Sequence, residues 1–164
     1  VPSVSSPDTS GIAAAVTAAK AADTVVLAVG TDLSWAREGQ DSVNITFPDA
    51  QAELIAQVAS AASKPVILVT FTANPLDLTD VINNKNIGAV MHVGQPSVTI
   101  LGLGELIFGN TSPAGRMVQT VYPAEYQDEI SIFDFNMRPG PSVFPRPDCP
   151  APYKSCTPGT NPGM

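Results

Sequence analysis

The chain has 164 residues, of which 14% are charged, and a formal net charge of −7. That length suits one domain with a proper hydrophobic core, although about a quarter of a typical chain is charged. A net negative field excludes nucleic acid and anionic membrane as partners held by overall charge, and no apolar run approaches the length of a membrane span.

The opening VPSVSS carries no cleavable signal pattern and reads as the start of a mature chain or of an excised piece. From Ser10, SGIAAAVTAAKAAD predicts a helix with Ile12, Ala15, Val16 and Ala19 on one face and Ser10 as its cap. TVVLAVG follows as a strand apolar on both faces. A long loop, Thr31 to Pro48, separates it from a second helix over PDAQAELIAQVASAAS, whose buried stripe is Leu54, Ile55, Val58 and Ala62. KPVILVTF is a second doubly buried strand, LDLTDVINN a short helix opened by Asp77 and Asp80, and IGAVMHVG a third strand. SVTILGLGELIFG reads as a helix loosened by Gly102 and Gly104, and GRMVQTVYP as a short edge strand stopped by Pro123.

Strands alternating with helices predict an α/β fold: a mostly parallel sheet with helices on both faces, a Rossmann-like or flavodoxin-like sandwich. The strands near 24–29, 65–71 and 87–93 are expected to be adjacent and central. This domain occupies residues 1–122. Nine of the sixteen prolines follow Val121, so residues 123–164 are expected to form a Pro-rich, irregular arm. No glycine fingerprint follows a strand and no loop is built to cradle phosphate, so no cofactor is expected.

Ligands of such sheets bind beyond the carboxyl ends of the strands. Three loops should converge there: Thr31–Pro48, Thr72–Leu76 and Gly94–Ser97. The first holds the chain's single tryptophan, Trp35, and crowds Arg37, Glu38 and Asp41 beside it. A plain connection runs to about 4–6 residues. The excess length and charge mark this loop as the candidate site.

Cys149 and Cys156, in CPAPYKSC, have no cluster of further ligands, and the single histidine, His92, is far away in sequence. No metal is therefore expected, and a local disulfide is the better reading. The sequons Asn44-Ile45-Thr46 and Asn110-Thr111-Ser112 agree with a secreted, N-glycosylated protein.

The chain resembles the α/β-sandwich domain of family 3 glycoside hydrolases, in the β-xylosidase and α-arabinofuranosidase branch. Four stretches carry the resemblance in order: AAAVTAAKAADTVVLAVGTDLSWAREGQDSVNITFP, KPVILVTFTANPLDLT, FGNTSPAGRMVQTVYP and FDFNMRP. The third parallels the pattern FG-x-x-x-P-x-G-[KR]-L-P-x-T-x-Y-P. What the resemblance implies is a retaining glycosidase with two carboxyl groups. The nucleophilic aspartate comes from a separate (β/α)8 barrel domain, absent from this chain, and the acid/base glutamate from the loop. Glu38 is then the candidate acid/base, with Trp35, Arg37, Asp41 and His92 facing a glycan substrate.

The chain departs from the branch at three places. The loop pattern D-x-[ST]-x-E-x-E-G-x-D has Ala36 at its first glutamate, leaving Glu38 alone. His92 stands where an aromatic residue is common, and GQPSVTILG replaces a glycine-richer run. Each site residue also has a plainer reading. Glu38 and Arg37 can be solvated charges, Trp35 a buried anchor, His92 a satisfied core histidine, and Arg116 a lock for the terminal arm. Two functions stand: the acid/base half of a secreted xylosidase-like enzyme, inactive as an isolated chain, or a carbohydrate-binding or structural module of an extracellular assembly.

Overall fold

A computed structural model describes residues 3–96, 100–117, 120–129 and 133. Three parallel strands, β1 (Val26–Gly30), β2 (Val66–Phe71) and β3 (Ile87–Gly94), stand in the order β1-β2-β3. Helix α1 (Ile12–Ala21) precedes them, α2 (Asp49–Ala61) joins β1 to β2, and α3 (Thr79–Asn83) joins β2 to β3. Short helices α4 (Gly102–Ile107) and α5 (Tyr126–Glu129) follow. Residues Val1–Val121 make one compact unit.

The expectation of three adjacent strands holds, but only β2 is central. β1 and β3 are the outer strands among the described residues. The burial follows: Val66 and Leu68 are fully buried, whereas Val26 is 45% exposed. A fully buried Leu or Val side chain contributes about 1.5–3 kcal/mol, so β2 anchors the sheet. A run of apolar residues marks a strand; it does not distinguish a middle strand from an outer one.

Both core clusters lie on one sheet face. Leu27, Val29, Leu68 and Val90 meet Ile55 of α2 and Val81 of α3, while Val66 meets Ala19 of α1 with Val58 and Ala59 of α2. The two crossovers step across the sheet in the same direction, and right-handed connections then place α2 and α3 on the same side. On the opposite face Val69 is buried between the exposed Ala28 and the half-buried Met91.

Local details differ from expectation in three ways. Helix α1 starts at Ile12 with Gly11 as its N-cap, and Ser10 does not cap it; the Ser10 N–H instead donates to Asp8 Oδ1 at 2.8 Å. The helix expected over 97–109 is confined to Gly102–Ile107 among the described residues and buries none of them. The edge strand expected over 115–123 is irregular wherever it is described. Cys149, Cys156 and all but a few residues of the arm lie outside the described residues. At its start, in the second compact unit (Tyr122–Met164), the rings of Tyr122 and Tyr126 stack at 4.2 Å. Among the described residues no helix is long and apolar enough to cross a membrane.

Candidate active-site loop

The three loops expected to converge do so. Thr31, Asp32 and Leu33 after β1, Thr72 to Asn74 with Phe71 at the end of β2, and Gln95 and Pro96 with Gly94 at the end of β3 line one shallow cleft of about 70 Å³. Its floor is tied by main chain: the Thr31 N–H donates to Phe71 O at 2.9 Å and the Thr72 N–H to Gly94 O at 3.0 Å. A hydroxyl bond joins Thr31 Oγ1 to Thr72 Oγ1. Thr72 Oγ1 also donates to Asn74 O at 3.0 Å. A hydroxyl has one proton to give, so Thr31 is the donor to Thr72.

The long loop leaves this floor through Asp32. Its carboxylate accepts the Ser34 hydroxyl and, at 2.8 Å, the Ser34 N–H. Those bonds, the hydroxyl's first, hold the Asp32 carboxyl below its ordinary value and keep it an ionised turn-former. Trp35 is half-buried, and its Nε1–H donates to Asn44 O at 3.2 Å, strapping the two limbs together. Among the described residues Arg37 pairs with no carboxylate; its Nη1 donates to Leu33 O at 3.1 Å.

Arg37 and Gln40 exchange both main-chain bonds, N–H to O at 3.0 and 2.9 Å, leaving Glu38 and Gly39 as a two-residue turn. Gly39 has φ +76°, the left-handed value that the third position of a type II turn requires. Glu38 thus stands at the tip of the loop. It and Asp41 are exposed, with no side-chain partner among the described residues.

His92 is placed differently. It shares the core-facing side of the sheet with Leu68 and Val90, and its Nδ1 lies 3.1 Å from Thr70 Oγ1, whose residue is fully buried. Neither His92 nor Trp35, Glu38 or Asp41 lines the cleft. The structure therefore groups Trp35, Arg37, Glu38 and Asp41 on one loop rooted beside the cleft, with His92 on the strand below it. Asn44 and Asn110 are both exposed. Arg116 Nη1 donates to Ala114 O and Gly115 O, carbonyls of its own segment. No group of three His, Cys, Asp or Glu gathers to hold a metal among the described residues.

A model of the glycosyl hydrolase family 3 C-terminal domain matches residues 4–146. The chain belongs to that family. Among its relatives, Beta-D-xylosidase 3 of Arabidopsis thaliana is 41% identical over 132 residues, 80% of this chain and 17% of that protein. The Exo-1,4-beta-xylosidase xlnD of Aspergillus niger is 39% identical over 138 residues, again covering 17% of the longer protein. This family 3 domain thus spans about a sixth of the curated relatives it matches.

A solved GH3 exo-beta-xylosidase (XlnD), bound to a xylobiose aziridine activity-based probe, superposes with a TM-score of 0.74 at 32% identity, over 87% of this chain and 20% of that one. A beta-glucosidase from Kluyveromyces marxianus, in complex with glucose, has a TM-score of 0.66 at 22% identity over 79% of this chain and 15% of that one, and shares the fold.

Two features of the site escaped the sequence. Asp32 forms the turn that starts the loop, and its D-x-S spacing was the available signal. Gln51, in the first turn of α2, is 6% exposed and binds Gly30 with both ends of its carboxamide. A glutamine in an alanine-rich helix gives no such signal.

Proposed function

We propose that this domain supplies the proton-transferring loop of a secreted, β-xylosidase-like family 3 glycoside hydrolase that cleaves xylose- or arabinose-containing glycans with retention. Glu38 is the acid/base. The observation that carries this reading is its presentation: an exposed carboxylate at the tip of a tight turn, on a loop that leaves the carboxyl end of β1 beside the cleft where three loops meet. Retention requires a second carboxyl about 5 Å away, which a barrel domain of the same enzyme provides as nucleophile. Covering the loop excludes water, and burial of a carboxyl favours the protonated form that a general acid must hold. Trp35, Arg37 and Asp41 shape the sugar-facing side, with His92 behind them. Asn44 and Asn110 carry N-glycans, and Cys149 pairs with Cys156, as suits an extracellular enzyme.

Ala36 favours a second reading. If the position it fills held the acid in the ancestral loop, the domain is a carbohydrate-binding or structural module of an extracellular assembly. One experiment separates the two. In the full-length enzyme, Glu38→Ala should lower kcat/KM on xylobiose by about 10²–10⁴-fold, with partial rescue by azide. Retention of most activity would favour the module. The isolated chain should not turn over aryl xylosides, because no covalent intermediate forms without the nucleophile. Turnover by the chain, lost in Glu38→Gln, would put both carboxyls within these residues and overturn the composite site.

A further inference from the structure

The mouth of the long loop is closed by one side chain. The Thr31 N–H donates to Phe71 O and the Ile67 N–H to Val25 O, so odd-numbered residues of β1 turn their main-chain groups toward β2. The N–H and C=O of Gly30 therefore point to the outer edge, where no strand lies among the described residues. Gln51 takes the place of that strand. Its Oε1 accepts the Gly30 N–H at 2.8 Å, and its Nε2 donates to Gly30 O at 2.7 Å and to Val4 O at 2.7 Å. Gly30 is the residue before the loop, and Gln51 sits in the helical turn directly after it, next to the buried Phe47 and Pro48. The carboxamide thus joins the loop's entrance to its exit and sets the direction in which the chain departs toward Glu38.

We infer that Gln51 is a positioning residue that aims the Glu38 carboxyl at the leaving-group oxygen. This rests on the acid/base role proposed above for Glu38. Proton transfer is demanding of distance, and a misplacement of about 1 Å costs on the order of a hundredfold. A substrate whose leaving group departs without a proton is indifferent to that aim.

The test is made in the full-length enzyme, comparing kcat/KM on xylobiose with kcat/KM on 2,4-dinitrophenyl xyloside. Gln51→Met keeps the volume and removes all three bonds. It should lose about ten- to hundredfold more on xylobiose than on the activated xyloside, and Glu38→Ala should show the same split in larger measure. Equal losses on both substrates, or none, in Gln51→Met beside a clear split in Glu38→Ala would overturn the positioning role and leave the acid/base role standing. No split in Glu38→Ala would remove both.

Should Gln51→Met not fold, Gln51→Glu supplies the answer. Its neutral carboxyl can repeat both bonds to Gly30, whereas the ionised form faces two carbonyl oxygens. The split, taken relative to wild type at each pH, should therefore widen as pH rises. A split that stays constant across pH would overturn the inference.

Discussion

The roots of the Thr31–Pro48 loop are closed by buried groups, whereas its tip is closed by bonds between exposed groups. At the roots, Gln51 is 6% exposed, Phe47 8% and Thr72 2%, and each hydrogen bond replaces one that water cannot supply. At the tip, the turn holds through two Arg37–Gln40 main-chain bonds, the Arg37 and Gln40 side chains donate to Leu33 O and Ser34 O, and the side chains of Glu38 and Asp41 make no such bond among the described residues. A loop built this way separates two demands. Its roots carry the stability, and its tip leaves the Glu38 and Asp41 carboxylates open to solvent.

The sharpest way to break that contrast is at Gly30. A β-carbon there would lie 1.8 Å from Phe71 O, a main-chain atom that cannot swing aside. Gly30→Ala should therefore part the sheet edge and destabilise the chain by more than about 3 kcal/mol, read as a lowered urea midpoint or loss of soluble protein. A normal midpoint would mean that the close approach at the root is not needed.

A smaller effect is expected at the tip. Gly39 at φ +76° has open space around it, so Gly39→Ala pays only for the left-handed backbone, about 1–2 kcal/mol. Circular dichroism melts of the chain should show a small drop with the sheet intact. A loss as large as that of Gly30→Ala would erase the distinction between root and tip.

The smallest effect is at the junction, Asp32. Its folded value is depressed by the Ser34 hydroxyl and N–H. A depressed carboxyl stabilises the folded state above its unfolded value of about 3.9 and loses that contribution as pH falls through the lower folded value. The Ser34 amide resonance should titrate below pH about 3.9, and Asp32→Asn should abolish the step. A midpoint at the ordinary value would show that the Asp32 turn does not persist in solution.

The elements legible in the sequence were those specified by long apolar runs. VLAVG, VILVTF and IGAVMHVG each became a strand, and Ile55, Val58 and Ala19 fell where helical spacing put them. Convergence of the loops followed from the strands being parallel, which puts their carboxyl ends at one edge of the sheet. Rank within the sheet was not legible, since Val26 is as apolar as Val66 yet lies at an edge. Capping was not legible, because α1 starts at Ile12 and Ser10 falls one residue before the N-cap Gly11, in a turn with Asp8. Of the candidate site, the loop and its charged cluster were legible from composition. The pairing of Arg37 with main chain and the seat of His92 beneath the site were not, because they depend on sheet register and turn type.

Trp35 is the single tryptophan in the chain, and it is half-buried between the limbs of the loop with its indole N–H held by Asn44 O. Its emission therefore comes from one place, a few residues from Glu38. Excited near 295 nm, the unlabelled chain would report on this loop and on no other part of the domain. A blue shift on mixing with a partner domain would record the burial of the loop, and a red shift at low urea would show the strap opening before the sheet unfolds.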